Sequence, residues 1–254
     1  MKISIITVTY NSLSFISDCL QSVKSQKNAD IEHIIVDGAS TDGTLSFLES
    51  KKEQINVLIS EADKGIYDAM NKGIKIASGD IIGFLNSDDF YANNEVLSKV
   101  ADMFFNNSSL DACYSDLVYV DQFNTSKIIR YFKSCNFTPG LFAKGWCPPH
   151  PTFFVRRSIF ERFGSFDLNY GIASDVDLMT RFLEVHKINV FYVPEIWVKM
   201  RMGGTTNKNL KNIWTQNKEI ILSLKKNNLQ VNIISFFFHK VISRSKQFFK
   251  RLNK

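Results

Sequence analysis

Residues 80–89 read DIIGFLNSDD, a short apolar run that ends in two neighbouring carboxylates, Asp88 and Asp89. A run of this kind predicts a buried β-strand, and the apolar spacing of residues 94–105 predicts that a helix follows. Adjacent carboxylates repel each other, so this strand end favours a nearby positive charge such as a divalent cation. A solvated turn that caps the next helix is the alternative.

Upstream, the chain repeats the same order of strand and helix three times. The predicted pairs are 2–10 with 12–26, 31–37 with 41–52, and 55–61 with 66–77. This alternation predicts an α/β fold, with a mostly parallel, Rossmann-like sheet flanked by helices on both faces. Such sheets bind ligands at the carboxyl ends of their strands. The polar residues at those ends are Thr9, Tyr10, Asn11, Asp37, Glu61, Asp63, Asp88 and Asp89.

The pattern changes from residue 111 onward. Strands are predicted at 111–121 and 127–134, and residues 138–164 hold four of the five prolines and are predicted as loop. A helix at 173–187, a strand at 188–195 and a helix at 209–227 follow. Nothing in this stretch has the composition of a linker, so we expect it to complete the sheet and to build a second wall over the cleft.

The charge of the chain is concentrated at its C-terminal end. No acidic residue follows Glu219, whereas eight lysines and arginines do, and the remaining 23 basic residues face 25 acidic ones. The overall charge of +6 therefore does not predict nucleic-acid binding. Four cysteines without CxxC spacing and four dispersed histidines argue against a zinc site, and the N-terminus has no signal-like character, which predicts a cytosolic protein. No run approaches the roughly 18–20 apolar residues that a membrane span needs.

Six stretches carry a resemblance to a known family. They are ISIITVTYNS (3–12), IIVDGASTDGT (34–44), SEADKGIYDAMNKG (60–73), GDIIGFLNSDD (79–89), HPTFFVRR (150–157) and ASDVDLMTR (173–181). Their order and spacing resemble the inverting family 2 glycosyltransferases of GT-A fold, and DKGIYDAMNKG is typical of members that make bacterial surface polysaccharides. The resemblance implies a GT-A domain over residues 1–206 and a C-terminal helical extension over residues 207–254.

The resemblance also implies roles for the residues at the strand ends. Tyr10, beside Thr9, would pack on the nucleotide base, and Asp37 would hydrogen-bond that base. Asp63 would be a further acid on the nucleotide side, and Lys64 a contact to the diphosphate. The sequence has VDGAS at residues 36–40, where many members have VDDGS, so one carboxylate of the family pattern is missing.

A metal site and a catalytic base are implied in the same way. Asp88 and Asp89 match the metal-binding DxD-type motif, although Ser87 takes the place of its usual first acid. Asp89 would bind Mn²⁺ or Mg²⁺ directly, and Asp88 would face the ribose or the waters of the metal. Asp175 resembles the base of the family's ED motif, with Ser174 in place of the Glu. As an ordinary helix residue, Asp175 would simply favour the positive end of its helix.

Other segments allow two interpretations each. His150, in CPPHPTFF, either contacts the acceptor or the diphosphate, or is a loop histidine held by prolines. Gly203 and Gly204, in RMGGTT, belong either to a loop that covers the diphosphate or to a simple turn. Asp177 and Arg181 are explained as an ion pair on a helix surface.

The C-terminal tail predicts a basic amphipathic helix. Its apolar residues at near-helical spacing are Ile234, Phe237 or Phe238, Val241, Phe248 and Leu252. Basic residues fill most of the other positions, a composition typical of helices that lie on anionic lipid. The alternative is a helix packed on its own domain, or on a second subunit in a homodimer.

The resemblance implies an enzyme that moves a hexosyl or N-acetylhexosaminyl group from a nucleotide sugar, most commonly a UDP-sugar, to a saccharide hydroxyl. The acceptor would be carried on a polyprenyl diphosphate at the inner face of the bacterial cytoplasmic membrane, in O-antigen, capsule or exopolysaccharide synthesis. A nucleotidyltransferase would need a Gly-rich basic loop after the first strand, which TVTYNSLSF does not provide. A non-catalytic module that binds a nucleotide sugar or a polysaccharide remains an alternative.

Overall fold

The computed structural model describes residues 1–203 and 210–249. In the first half, four strands pair in parallel in the order β3-β2-β1-β4. These elements are β1 (Lys2–Thr9), α1 (Ile16–Lys24), β2 (Asp30–Asp37), α2 (Thr44–Glu49), β3 (Val57–Ser60), α3 (Ile66–Ile76) and β4 (Ile81–Phe84). Because Thr9 pairs with Asp37 and Asp37 with Ser60, the strands end at one common edge.

The second half extends the same sheet, mainly through strands that run antiparallel to their neighbours. Its first elements are β5 (Phe90–Tyr91), α4 (Val96–Asn106), β6 (Ala112–Val120), β7 (Ile128–Phe132), β8 (Phe154–Arg156) and α5 (Arg157–Phe163). They are followed by α6 (Ser174–Thr180), a π-helical turn (Arg181–Val185), β9 (Val190–Arg201), α7 (Leu210–Lys226) and α8 (Ile233–Phe249). The strand order is β3-β2-β1-β4-β8-β6-β9-β5, with β7 beside β6. The longest pairings are parallel, and the predicted α/β class is confirmed.

Two short strands and one helix lie where sequence patterns predicted loop or turn. β8 fits between β4 and β6 because Gly83 leaves room for the ring of Phe154, where a Cβ would come within 2.5 Å of that ring. α5 follows β8 directly, within the segment that was predicted as loop. β5 has only two residues and pairs with Val198 and Lys199 of β9. Such strands form because a partner strand passes nearby, which local spacing does not reveal.

Each face of the sheet carries its own apolar core. Alternate residues of β1 point to opposite faces, with Ile3 and Ile5 packing against α1 and α4, and Ile6 and Val8 facing α3 and α6. The face covered by α3 and α6 is also covered by the C-terminal helices, which add Ile220, Leu224 and Phe236 to its core.

The C-terminal helices therefore pack on the body of the protein. The predicted boundary at residue 206 lies outside the described residues, as do Leu252 and the side chain of Phe248. Phe236 of α8 is fully buried, whereas Ile234, Phe238 and Val241 on its other sides are largely exposed. Within the described ranges, none of the helices has the length and apolar character to cross a membrane.

Candidate active site

A cavity of about 620 Å³ opens at the sheet edge where β1 and β4 end, and both halves of the chain line it. The predicted site residues on its lining are Thr9, Tyr10, Asp63, Asp88, His150, Asp175 and Gly203. Asp37, Lys64 and Asp89 do not line it, and Gly204 lies outside the described residues. The fold thus brings together side chains that are up to about 190 residues apart in sequence.

One end of the cleft combines an exposed aromatic ring with a fixed carboxylate. The side chain of Tyr10 is 64% exposed, and Asp63 Oδ1 accepts a hydrogen bond from the backbone N–H of Gly65 at 2.7 Å. Gly38 lies close to both Tyr10 and Asp63. A Cβ at this position would come within 2.5 Å of Asp63 Oδ2 and 3.5 Å of the Tyr10 ring. A flat apolar ring beside a carboxylate acceptor suits a heterocyclic base that carries N–H donors.

Asp37 is buried below this end of the cleft and does not face it. One carboxylate oxygen accepts hydrogen bonds from the backbone N–H of Ser40 at 3.0 Å and from the Ser60 hydroxyl at 2.7 Å, and the other accepts from the Ser40 hydroxyl. A fully buried carboxylate is tolerated when it is hydrogen-bonded in this way. In the structure, Asp37 fixes the loop that carries Gly38.

The two neighbouring carboxylates occupy different environments. Asp88 lines the cleft, whereas Asp89 is fully buried. Asp89 Oδ1 accepts a hydrogen bond from the backbone N–H of Arg201 at 3.1 Å, and Oδ2 accepts one from the Asn86 amide at 3.3 Å. Burial, and then the charge of Asp88, raise the pKa of Asp89 well above its usual range, which favours its neutral form.

A buried arginine supplies positive charge beside this pair. The guanidinium of Arg201 donates to the carbonyl of Asp88 at 2.6 Å and to the carbonyl of Gln122 at 3.2 Å, and it forms an ion pair with Asp18. Arg201 is only 5% exposed, and it lies at the end of β9. It therefore ties three separate segments together around the loop that carries Asp88.

Asp175 also lines the cleft, and it lies in the first turn of α6, at the end of a loop that is held by two other elements. The Tyr67 hydroxyl of α3 lies 3.0 Å from Asp175 Oδ1 and 2.8 Å from the carbonyl of Ile172, so its one proton is available to either oxygen. Burial, and then the charge of Asp175, raise the pKa of Tyr67, so this hydroxyl stays protonated and acts as a donor. The carboxylate of Glu219 accepts three backbone N–H bonds, from Gly171, Ile172 and Ala173, at 2.8–3.1 Å.

His150 lies between Asp175 and the end of β4. Its ring stacks on Phe84 with 5.1 Å between centroids, and it meets the edge of Phe166 at 5.7 Å. Burial lowers the pKa of His150, against the opposing charge of Asp175, and favours a neutral imidazole. Its Nε2 is buried without a hydrogen-bond partner among the described residues, and the residue lines the cleft.

The pair Asp177–Arg181 forms, but it is not the surface pair that the sequence predicted. Asp177 is 1% exposed, and its carboxylate accepts from Arg181 Nε at 2.9 Å and from the Ser223 hydroxyl at 2.6 Å. Helix α7 covers this side of α6, which local sequence spacing could not show. The ion pair therefore joins α6 to the C-terminal helices.

Comparison with known proteins identifies the family. The sequence model of glycosyl transferase family 2 matches residues 4–164, which carry the strand-end residues of the cleft up to His150. The chain belongs to glycosyl transferase family 2. This glycosyltransferase is 33% identical over 182 residues to a "PGL/p-HBAD biosynthesis glycosyltransferase" of Mycobacterium bovis, covering 70% of this chain and 68% of the relative. It is 29% identical over 184 residues to an uncharacterized glycosyltransferase of Mycobacterium tuberculosis, with the same shares covered.

Solved structures show that the glycosyltransferase has the GT-A fold. TarS of S. aureus, in complex with UDP-GlcNAc, superimposes with a TM-score of 0.66 at 19% identity, covering 96% of this chain and 70% of TarS. The mannosyltransferase PcManGT of Pyrobaculum calidifontis, in complex with GDP-Man and Mn²⁺, gives 0.65 at 17% identity, covering 95% and 69%. At these identities, the likeness shows the fold.

The cleft of the glycosyltransferase offers hard oxygen donors for a divalent cation. No cluster of three or more His, Cys, Asp or Glu side chains is arranged for a metal in the part of the chain that the structure describes. Mg²⁺, however, needs only one or two protein carboxylates when substrate phosphates complete its shell. Asp88 lines the cleft, and Asn86 Oδ1 beside it is buried without a hydrogen-bond partner among the described residues. These two oxygens fit Mg²⁺ or Mn²⁺ bound together with a diphosphate.

Three contributors to the site of the glycosyltransferase were not predicted from its sequence. Arg201 ends β9 and begins the RMGGTT stretch, and an arginine beside those glycines could have been matched to the acidic pair. Glu219 is the last acidic residue of the sequence, and all Lys and Arg residues after it lack an acidic residue in the same segment. This position could have indicated that Glu219 has a structural role. Tyr67 lies inside the DKGIYDAMNKG stretch, but an aromatic residue on the inner face of a helix is predicted to be a core residue.

Proposed function

We propose that this glycosyltransferase transfers a sugar from a nucleoside diphosphate sugar to a hydroxyl of a saccharide acceptor, in a single displacement that inverts the anomeric carbon. The observation that carries the proposal is the placement of Tyr10, Asp88 and Asp175 on the lining of one cleft. UDP is the first nucleotide to test, since TarS was solved with UDP-GlcNAc and PcManGT with GDP-Man.

The geometry of the cleft supports the following proposal for the donor side of the mechanism. The nucleotide base packs on Tyr10 and donates a hydrogen bond to Asp63, and the diphosphate extends toward Asp88 and Asn86. A Mn²⁺ or Mg²⁺ ion, when bound there, would act as a Lewis acid that stabilises the charge on the leaving phosphate. Asp88 takes the role of direct ligand in this proposal, because Asp89 is buried behind it, and Arg201 keeps the loop of Asp88 in place.

On the acceptor side, Asp175 is the general base. It takes the proton of the acceptor hydroxyl as the oxygen of that hydroxyl forms a bond to the anomeric carbon. The bond from this carbon to the phosphate oxygen breaks, and the nucleoside diphosphate leaves with the bonding electrons. Tyr67 holds one oxygen of Asp175, which leaves the other oxygen free to accept the proton. General base catalysis of this kind contributes about 10²- to 10⁴-fold in rate.

The test is the release of nucleoside diphosphate from a panel of sugar nucleotides with Mn²⁺. We expect the Asp88→Asn variant to lose metal-dependent turnover, and the Asp175→Asn variant to lose turnover by about 10²-fold or more while still being stabilised by nucleotide in thermal unfolding. The exposed Asp102→Asn variant on α4 is the matched control. Binding without turnover by the parent chain would favour a non-catalytic nucleotide-sugar module. Turnover of Asp175→Asn at the parent rate would refute the base assignment.

We further propose that α8 holds the enzyme on an anionic membrane surface, where a lipid-linked acceptor for surface polysaccharide synthesis would be found. Ile234, Phe238 and Val241 are 83%, 62% and 64% exposed on a helix whose Phe236 is fully buried. Apolar residues held out to solvent beside basic residues, with no acidic residue after Glu219, favour anionic lipid.

Sedimentation with phosphatidylglycerol vesicles tests this proposal. We expect the parent chain to sediment with these vesicles but not with phosphatidylcholine vesicles, and the double variant Phe238→Ser, Val241→Ser to remain in solution. Phe123→Ser is the control, because Phe123 is 84% exposed in the turn between β6 and β7. Equal sedimentation of the double variant would refute membrane contact. Self-association that is lost in the double variant would assign the same surface to a homodimer.

A further inference from the structure

A second cavity of about 230 Å³ adjoins the cleft, on the side of the C-terminal helices. The two cavities share His150, Pro151, Asp175 and Met200 on their linings. Asp175 is therefore accessible both from the donor cleft and from this second cavity. In a single displacement, the acceptor hydroxyl attacks the anomeric carbon from the face opposite the leaving group. The base must therefore be within reach of both the donor sugar and the acceptor hydroxyl.

The walls of the second cavity combine aromatic rings with cations. Tyr119, Phe132, Phe142 and Trp146 line it, and α8 closes one side. Arg130 of β7 and Lys240 and Arg244 of α8 are on the same lining. Asp175 is the only carboxylate on that lining among the described residues.

Arg244 lies close enough to the other two cations to affect both. The guanidinium of Arg130 lies 3.7 Å from the centre of the Tyr119 ring, and Lys240 Nζ donates to Asn217 Oδ1 at 2.6 Å. Burial lowers the pKa of Arg130 and of Lys240, and the charge of Arg244 lowers both further. Like charges gathered in a partly dehydrated cavity are unfavourable, and a bound anion would relieve this repulsion.

The lining of the cavity also includes residues that carry buried polar atoms. Trp146 Nε1, His150 Nε2 and Gln247 Oε1 are each buried without a hydrogen-bond partner among the residues that the structure describes. All three residues line the second cavity. Buried polar atoms are normally hydrogen-bonded, so three such atoms on one small cavity indicate a polar ligand.

We propose that the second cavity binds the acceptor, and that this acceptor is a saccharide with an anionic group, either a phosphate ester or a carboxylate. The inference deepens the proposed function and rests on it. The anionic group binds Arg130, Lys240 and Arg244, the sugar ring packs on the aromatic wall, and its hydroxyl points to Asp175. Helix α8 is then part of the acceptor site as well as a surface helix.

Calorimetric titration with small probes tests this assignment. Glucose 1-phosphate, glucuronic acid and glucose are titrated into the full chain with UDP and Mn²⁺ present to occupy the donor side. We expect at least one of the two anionic sugars to bind about tenfold or more tightly than glucose, since a charge-assisted hydrogen bond contributes at least this factor. Preference for glucose 1-phosphate identifies a phosphate acceptor, and preference for glucuronic acid identifies a carboxylate. Equal affinity for all three sugars would overturn the proposal.

Variants on one helix locate the binding. Lys240→Gln and Arg244→Gln should each weaken binding of the anionic sugar about tenfold, whereas Lys246→Gln, an exposed lysine on the same helix, should not. Circular dichroism identifies any variant that fails to fold. If Lys240→Gln or Arg244→Gln does not fold, the remaining one of these two variants tests the assignment. Undiminished binding in a folded Lys240→Gln or Arg244→Gln variant would overturn the assignment. Absence of donor turnover by the parent chain would instead count against the proposed function, so the two failures are distinguishable.

Discussion

Replacing Glu219 with Gln tests whether the C-terminal helices position the base. Glu219 is on α7, and its carboxylate accepts three backbone N–H bonds at 2.8–3.1 Å from the loop that leads into α6 and Asp175. Gln keeps the size of the side chain and one acceptor oxygen, but it removes the negative charge and the second oxygen. The variant should therefore loosen this loop without leaving a cavity.

The expected magnitude follows from these contacts. A hydrogen bond to a charged group contributes about 1.5–3 kcal/mol net, and Glu219 is partly exposed, so a loss of about 2 kcal/mol is expected. For a chain of this size, that loss lowers Tm by roughly 4–8 °C. Displacement of Asp175 should lower kcat by about tenfold, which is part of what a general base contributes. KM for the donor should stay near the parent value, because the backbone groups that Glu219 holds lie next to Asp175 in the chain and not next to Tyr10 or Asp63.

Differential scanning calorimetry and steady-state release of nucleoside diphosphate measure the two effects. The matched control is Glu49→Gln, an exposed glutamate at the end of α2, which should change neither Tm nor kcat. A variant with lowered Tm but the kcat of the parent would show that Glu219 only stabilises the fold, and it would refute the positioning role. Raised KM with unchanged kcat would contradict the same reasoning.

Three further predictions concern the donor end and the core. Gly38→Ala should raise KM for the donor with little change in Tm, because the new Cβ displaces the carboxylate of Asp63. An unchanged KM in steady-state assays would contradict the proposed binding site for the nucleotide base. Arg201→Lys keeps the charge but loses the two guanidinium hydrogen bonds to the carbonyls of Asp88 and Gln122, so half-maximal activity should require more Mn²⁺. An unchanged Mn²⁺ titration would show that these two hydrogen bonds are dispensable. Burial lowers the pKa of His33 from 6.5 to about 3, so below pH 6.5 the unfolded chain binds a proton that the folded chain excludes. The free energy of unfolding, measured with urea, should therefore be about 2 kcal/mol lower at pH 5 than at pH 7. The His33→Gln variant should lose most of this difference.

The strand-and-helix order of the first half was predictable from the sequence because it depends on local spacing. β1, β2 and β4 are apolar runs that bury both of their faces, and their ends carry the polar residues that meet at the cleft. Parallel pairing then places Thr9, Tyr10 and Asp88 at one edge. No long-range information was needed for this inference.

The side-chain environments were not predictable in the same way. Asp37 and Asp89 are as polar as Asp63 and Asp88, yet the first two are buried and hold loops, while the last two face the cleft. Whether a carboxylate faces the cleft depends on which partners the fold brings near it, and Arg201 lies 112 residues from Asp89 in sequence. Sequence spacing cannot report a partner at that distance.

The central claim is that Asp88 and Asp175, on the lining of one cleft, act together in a single displacement. The most direct measurement needs no acceptor, because water can take its place. Proton NMR, recorded in the first minutes of donor hydrolysis, follows the anomer of the sugar released from an α-linked donor such as UDP-GlcNAc. The account predicts that the β-anomer appears first and that the Asp175→Asn variant does not form it. Initial release of the α-anomer would contradict a single displacement.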